Sequence, residues 1–359
     1  MGKKEKISTI YLTIIIMGTL TIFKFILMIV SNGGFLSNLI WGVDDRKLFY
    51  DFWAHIRYCL LGGRNVYAVD TNACFPPLAY LFYSLMAAIC RYDNTKDYNE
   101  IESSNSGIVI LMMTYIVFAV VLVVVIQSLL DDINKKYINM YCILIMLSTI
   151  FSFAVYSGNI SIGVCILLLA ALYLRQKDGL ICRELSLVLI AIASAFKIYP
   201  AVFGVLYLIE HRYKESVRLI IYGMITFFLP FAFFGGFGGI INFLNNAIAI
   251  SGNVTGISLT GVLLKILCGF VPSDLAMGIA SVVNYIYLIV SIFVVIRRKV
   301  DWKSYTILCG LFFLFNKEVG YYCLIYLLIG FVFFIRETSK LRADEIRTID
   351  WIYTTLFSS

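Results

Sequence analysis

The stretch "DFWAHIRYCLLGGRNVYAVD", Asp51 to Asp70, puts a carboxylate, Asp51, one helical turn before an imidazole, His55, so the two share a helix face. A positioned carboxylate can take a proton from a hydroxyl, and an adjacent imidazole can orient the carboxylate or a ligand. Asp44 and Asp45 lie just upstream and compete for the proton-accepting role. A carboxylate at a helix start is also favoured by the helix dipole alone, so Asp51 has a structural reading beside the chemical one. Arg57 and Arg64 follow in the same stretch as anion-binding candidates or as solvated loop charges. Lys197, in "AIASAFKIYPAVF", ends an apolar run beside Pro200. An ammonium there needs an anion or water, or must snorkel to the interface. Lys265, in "GVLLKILCGFVP", is a similar case, in a piece short enough to be re-entrant. His211 falls in the basic loop "EHRYKES" and is not a catalytic candidate.

These side chains must be held by membrane elements. The 359 residues are 61% hydrophobic and 14% charged, with mean hydropathy +0.89. Soluble domains carry roughly 25% charge, so the composition is that of an integral membrane protein with no room for a large soluble domain. The formal charge of +7 fits Lys and Arg in cytoplasmic loops and does not point to nucleic acid. Apolar runs fall at 8–30, 107–130, 137–156, 160–174, 184–198, 199–210, 217–234, 275–296, 304–316 and 319–335. The expected fold is therefore an all-α polytopic protein with about ten transmembrane helices in a single domain, 1–359. The basic start and long apolar run of the N-terminal segment read as a retained first span rather than a cleaved signal. Pro200 biases Tyr199 away from the α region, which predicts a break between 184–198 and 199–210.

Charge decides whether the apolar run 76–90 crosses. If it does not, and the N-terminus is inside, the inner segments are "MGKKEK", "DDINKK", "RQKDGLICR", "EHRYKESVR", "RRKVDWK" and "RETSKLRADEIR". Basic residues then crowd inside, as the positive-inside rule requires; if 76–90 spans, three of these segments move outside. The reading is therefore a long external segment, 31–106, a second external segment, 235–274, and a cytoplasmic tail, 336–359, in a cell membrane with both termini cytoplasmic. The first segment is expected to carry helices over 47–61 and 77–91. Phe52, Ile56, Leu60 and Leu61 on one face suit the membrane interface. Pro76-Pro77 suits a helix start, and Gly62-Gly63 a sharp turn. The Gly-rich "FFGGFGGIINFLNNAIAISGNVTG", with Asn242, Asn245, Asn246 and Asn253, suits a lid, an acceptor groove or a connector with an interfacial helix. Asn253-Val254-Thr255 is a glycosylation sequon only in a eukaryotic lumen.

The nine Cys contain no CxxC and no Cys/His cluster, so zinc and thiol-redox chemistry are not indicated. Cys59, Cys74 and Cys90 could pair in an oxidising compartment, although buried small apolar residues are the simpler reading. No cofactor is implied, and no metal beyond the small opening left by Asp44-Asp45.

An early acidic residue in a long first external loop, followed by a Pro-Pro-led juxtamembrane helix, resembles the GT-C superfamily of polytopic glycosyltransferases. The finer pattern resembles glycosyltransferase family 87, of the polyprenyl-phosphate-mannose-dependent α-mannosyltransferase type. "DFWAHIRYCLLGGRNVYAVD" resembles that family's Asp-aromatic helix, Gly-Gly and Tyr-Asp stretch, and "FPPLAYLFYSL" its Pro-Pro-led helix. "YSGNISIGVCILLLAALYL" resembles its Gly-Gln-x-Asn span start, with Asn159 in the usual Gln position and Ser161 where Asn is frequent. "AIASAFKIYPAVFGVLYLIEHRYKES" resembles its Lys-x-x-Pro span. The order and spacing cover residues 45–220, and downstream the likeness is architectural.

The resemblance implies inverting transfer of a hexose, mannose first, from a polyprenyl-phosphate-linked donor to a hydroxyl of a glycolipid or glycan acceptor, on the extracytoplasmic side of the lipid bilayer. Asp51 is the implied general base. Lys197, His55, Arg57, Arg64, Tyr67 and Asn159 are the implied substrate-binding residues. Two other classes compete. A polymerase or ligase of lipid-linked glycans would need several external basic residues, and this chain keeps most of its Lys and Arg inside. A transporter or flippase commonly carries carboxylates mid-membrane, and these spans contain almost none.

Overall fold

The computed structural model describes residues 9–31, 49–90, 92, 101, 104–251, 258–298, 300–315 and 320–339. Asp44, Asp45, the Asn253 sequon and most of the 336–359 tail lie outside these. The described residues form helices and no strand. In chain order they are α1 (Thr9–Val30), α2 (Tyr50–Gly62), α3 (Pro77–Ile89), α4 (Asn105–Leu129), α5 (Lys135–Met146), α6 (Thr149–Tyr156), α7 (Ser161–Arg175) and α8 (Leu180–Phe196). Then come α9 (Val205–Ile209), α10 (Tyr213–Phe228), α11 (Gly236–Ser251), α12 (Leu259–Leu267), α13 (Ser273–Arg297), α14 (Trp302–Gly310), α15 (Phe312–Phe315) and α16 (Leu327–Thr338). Short 3₁₀ turns at Gly63–Ala68, Tyr199–Gly204, Leu229–Phe233 and Tyr321–Tyr326 join or extend them.

Among the described residues, five helices are long and apolar enough to cross a membrane, and six if α5 and α6, bent by 51° at Leu147-Ser148, form one broken span. Five shorter apolar helices, Pro77–Ile89, Ser161–Arg175, Tyr199–Ile209, Gly236–Ile250 and Trp302–Leu314, are too short for a straight crossing of the hydrocarbon core. The helices are those of a multi-pass membrane protein, and the described residues supply five or six full-length spans of the ten expected. The break in α5–α6 has a local cause. Ser148 accepts from the Phe151 amide at 3.2 Å, and Lys24 of α1 donates to the Leu147 carbonyl at 2.5 Å. The intramembrane lysine therefore caps a carbonyl that the bend leaves without its helical partner.

The α3 helix returns the chain to the start of α4. Thr114 lies beside Met86 at 4.0 Å, and Ser106 donates to the Cys90 carbonyl at 3.4 Å, so α3 runs antiparallel to the first half of α4. Thirteen residues span about 20 Å, short of the ~30 Å of a hydrocarbon core. Pro77 opens α3, where a missing amide is no loss. At Gly62 a Cβ would lie 2.6 Å from a Val69 methyl, and Gly63 has φ +50°, so the sharp turn there uses both glycines.

The α2 helix departs from the expected interfacial position. Phe52 and Ile56 are 2% and 0% exposed. Protein covers the first half of that face, because α3 packs along α2 and Tyr83 meets Phe52 edge-on at 5.9 Å, while Leu60 is half-buried and Leu61 exposed. The break near Pro200 is also displaced. Lys197 carries it, with φ −145° and ψ 130°, while Tyr199 already opens the 3₁₀ turn Tyr199–Gly204. Of the readings open for the Gly-rich segment, Gly236–Ser251 takes the helical one, as α11. The nine cysteines form no disulfide, and Cys59 and Cys90 are buried.

Candidate active site

The backbone carries Asp51 to its neighbours. Phe49 adopts the left-handed region, φ 63°, and its amide donates to the Tyr156 carbonyl at 2.7 Å. The Asp51 amide donates to the Ser157 carbonyl at 3.0 Å. Gly158, φ +69°, permits this approach, since a Cβ there would sit 2.9 Å from the Phe49 Cα. The start of α2 is thereby fastened to the α6–α7 turn. Within that juncture Asn159 Nδ2 donates to Asp51 Oδ2 at 2.8 Å, although the residues are 108 positions apart.

Asn159 is fully buried and held from three sides. Its Oδ1 accepts from the Ser161 hydroxyl at 2.7 Å and the Ser161 amide at 3.2 Å, and its carbonyl accepts from the Tyr115 hydroxyl at 3.3 Å. An amide fixed in this way presents only its NH₂ to the carboxylate, so Asp51 is oriented and remains half-buried. Asn159 thus touches the carboxylate in place of open space. Tyr115 lies ten residues into α4, so this point is about 15 Å along that helix from its first residue.

His55, 6% exposed, stacks on Phe75 with ring centroids 3.9 Å apart and on Tyr83 at 5.0 Å, with Nδ1 3.3 Å from the Tyr80 hydroxyl. Burial, and after it the Lys197 ammonium, push the imidazole down to about 3, so at neutral pH it is uncharged. Lys197, 5% exposed, sets its Nζ 3.8 Å from the centroid of the same Phe75 ring and 5.2 Å from that of Tyr322. A cation over aromatic faces gains a little over 0.5 kcal/mol to about 2 kcal/mol, less than full hydration of an ammonium supplies. Asp51 precedes His55 by one turn of α2 and bonds Asn159, while Lys197 shares the Phe75 ring with His55. Asp51, His55, Asn159 and Lys197 are therefore one cluster drawn from α2, the α6–α7 turn and the end of α8.

The remaining candidates lie differently. Arg57 is half-buried, with an Nε that has no hydrogen-bond partner among the described residues. Arg64 is exposed beyond the Gly-Gly turn. Tyr67 is 3% exposed, and its hydroxyl is committed to the Phe75 carbonyl at 2.9 Å. His211 sits with Tyr213, 2.9 Å away, beside Arg212 at the opposite end of the molecule. Lys265 is exposed. No group of three His, Cys, Asp or Glu side chains with metal-binding geometry occurs among the described residues.

Four residues unassigned in the sequence line this cluster: Phe75, Tyr80, Tyr83 and Tyr322. Tyr80 and Tyr83 were legible in principle, as an i, i+3 pair on the Pro-Pro-led helix. Phe75 and Tyr322 carry no such local signal, because only the tertiary fold sets both against Lys197.

A carboxylate oriented by an amide, with a neutral imidazole and a buried ammonium nearby, can accept a proton and receive an anion. Among known protein families, residues 74–316 match glycosyltransferase family 87. The match continues downstream of the 45–220 likeness and begins after Asp51 and His55, while Asn159 and Lys197 lie inside it. No curated protein and no solved structure matches the chain. With more than half of its residues matched, the chain belongs to glycosyltransferase family 87.

Proposed function

We propose that the protein transfers a hexose, mannose before other sugars, from a polyprenyl-phosphate-linked donor to a hydroxyl of a glycolipid or glycan on the extracytoplasmic side. Asp51 takes the acceptor proton as the acceptor oxygen bonds to the anomeric carbon. The bond from that carbon to the phosphate oxygen breaks from the opposite face, with inversion. The polyprenyl phosphate leaves with the electron pair, and its added charge falls to Lys197, with Arg57 or Arg64 contributing from the first external segment. Asn159 holds Asp51 in the accepting orientation. Neutral His55 accepts or donates a hydrogen bond and contributes no charge to phosphate binding. The short helices α3, α7, α9, α11 and α14 complete a single domain built around this cluster, and those that cross bring the spans toward ten.

The observation that carries this reading is the hydrogen bond joining Asp51 to Asn159, one helical turn from a His55 whose Phe75 neighbour also carries the Lys197 ammonium. A structural carboxylate at a helix start has no need of a distant buried cation. The test is transfer in membranes from a radiolabelled polyprenyl-phosphate sugar, comparing wild type with Asp51→Asn at matched expression. Loss of a general base lowers turnover by about 10²–10⁴-fold. Equal transfer by the variant removes Asp51 from the chemistry and moves the role to Asp44 or Asp45. No transfer by wild type from any of several donors would favour a transporter.

A further inference from the structure

Asn246, on α11, is 7% exposed and sits against a turn it does not adjoin in sequence. Its Nδ2 donates toward three backbone carbonyls: Tyr67 at 2.9 Å, Ala73 at 3.0 Å and Asp70 at 3.2 Å. Three acceptors around one nitrogen fix which end of the amide is the NH₂. The turn is then tied inside itself, since the Tyr67 hydroxyl donates to the Phe75 carbonyl. The Phe75 ring is the surface on which both His55 and Lys197 rest.

Aromatic packing surrounds the clasp. The Tyr67 ring meets Phe243, one turn before Asn246, at 5.6 Å, and Phe231 at 5.7 Å. Glycine brings α11 close enough. Gly235 and Gly236 have φ of +79° and +58°, and a Cβ on Gly235 would lie 3.6 Å from the Arg64 carbonyl, just before the turn. Asn242, one turn earlier on α11, is exposed.

We propose that Asn246 is a positioning residue, which locks the 67–75 turn so that Phe75 holds His55 and the Lys197 ammonium in place beside Asp51. The proposal rests on the transferase reading for its effect on turnover, but the clasp itself can be read without activity. Cys74, half-buried in the turn, is a native reporter of its opening.

The experiment uses the purified full-length protein in detergent, as wild type, Asn246→Ala, Asn246→Ser and Asn242→Ala. The alkylation rate of Cys74 by N-ethylmaleimide is read by peptide mass spectrometry, with exposed Cys268 as the internal reference. Sugar transfer is measured in parallel. Removing the amide is expected to raise the Cys74 rate about tenfold and to lower kcat by a similar factor, with donor KM little changed. The serine variant, which keeps one donor, is expected to fall between, and Asn242→Ala to match wild type. If the alanine variant does not purify as a folded protein, the serine variant carries the same comparison. An unchanged Cys74 rate overturns the clasp. A faster Cys74 rate with unchanged kcat overturns the positioning role. Wild type that transfers nothing overturns the transferase reading and the role with it, while the Cys74 rates still decide whether Asn246 holds the turn.

Discussion

Lys197 separates a functional from a structural account at the level of one side chain. Its ammonium is buried over Phe75, so replacement by methionine of similar length keeps the packing and removes the desolvation cost. Lys197→Met is therefore expected to leave the melting temperature in detergent unchanged or higher, and to lower sugar transfer by about 10²–10³-fold. Transfer at the wild-type rate would reduce Lys197 to a buried cation with no part in phosphate binding. His55 gives a prediction in pH. Its imidazole ordinarily titrates near 6.5 and is pushed down to about 3 by burial and then by Lys197. Between those values the unfolded chain binds a proton that the folded chain refuses, so stability contributed by neutral His55 is full above pH 6.5 and declines as pH falls toward 3. Melting measured at pH 7.5 and at pH 5.5 should show a larger drop for wild type than for His55→Gln, and parallel drops would refute a neutral buried imidazole. Residues of this kind were legible in type but not in state. The Asp51–His55 spacing is visible in the sequence, whereas the neutrality of His55 comes from Phe75, Tyr80 and Tyr83, which only packing assembles.

The elements hold these side chains through one close backbone contact. Phe49 in the left-handed region and Gly158 at φ +69° face each other across the junction of α2 with the α6–α7 turn. The left-handed conformation costs a non-glycine residue about 1–2 kcal/mol, so the fold retains strain where Asp51 is set. Gly158→Ala adds a similar cost and a Cβ 2.9 Å from the Phe49 backbone, which cannot rotate away as a side chain would. The variant is expected to separate Asp51 from Asn159, lower transfer by at least tenfold, and lower the melting temperature by several degrees. Unaltered transfer would mean that the Asp51–Asn159 hydrogen bond has no role in turnover. The sequence shows the break between the apolar runs 137–156 and 160–174, but not that Gly158 within it meets Phe49, because positive φ opposite a distant aromatic is a tertiary fact. The α3 start at Pro77 and the turn at Gly62-Gly63 were legible, since each follows from local backbone chemistry. The placement of α2 was not. Its hydrophobic stripe is compatible with either bilayer or protein, and α3 supplies the protein.

Across the described residues, two ends of the molecule differ in the charged groups they gather. At one end the start of α1 meets the finish of α16, where Thr9 donates to the Thr338 carbonyl at 2.9 Å. Arg336 bonds Gln176 there, Arg175 pairs with Glu210 at 2.5 Å, and Arg212 reaches the same Glu210 at 3.6 Å. At the other end lie Asp51, His55, Asn159 and Lys197. The charge pattern made this division legible, because the loops on either side of each apolar run differ in Lys and Arg content whatever the lengths of the runs. The number of spans was less legible. Helices such as α7 and α8 fall short of a full span and are broken or shielded by neighbours, so length and hydropathy undercount or overcount them. If the arginine-rich end is cytoplasmic, as the positive-inside rule implies, Asp178→Cys, between α7 and α8, should resist a membrane-impermeant maleimide in intact cells and react after permeabilisation. Arg64→Cys, beyond the Gly-Gly turn, should react in intact cells, each read as the increment over a parent carrying Cys268→Ser. Reversed labelling would put the Asp51 cluster in the cytoplasm, where a nucleotide-linked sugar becomes the expected donor. Labelling of both positions from one side would break the two-ended arrangement itself, and with it the placement of α3 as a helix that returns the chain to the side it came from.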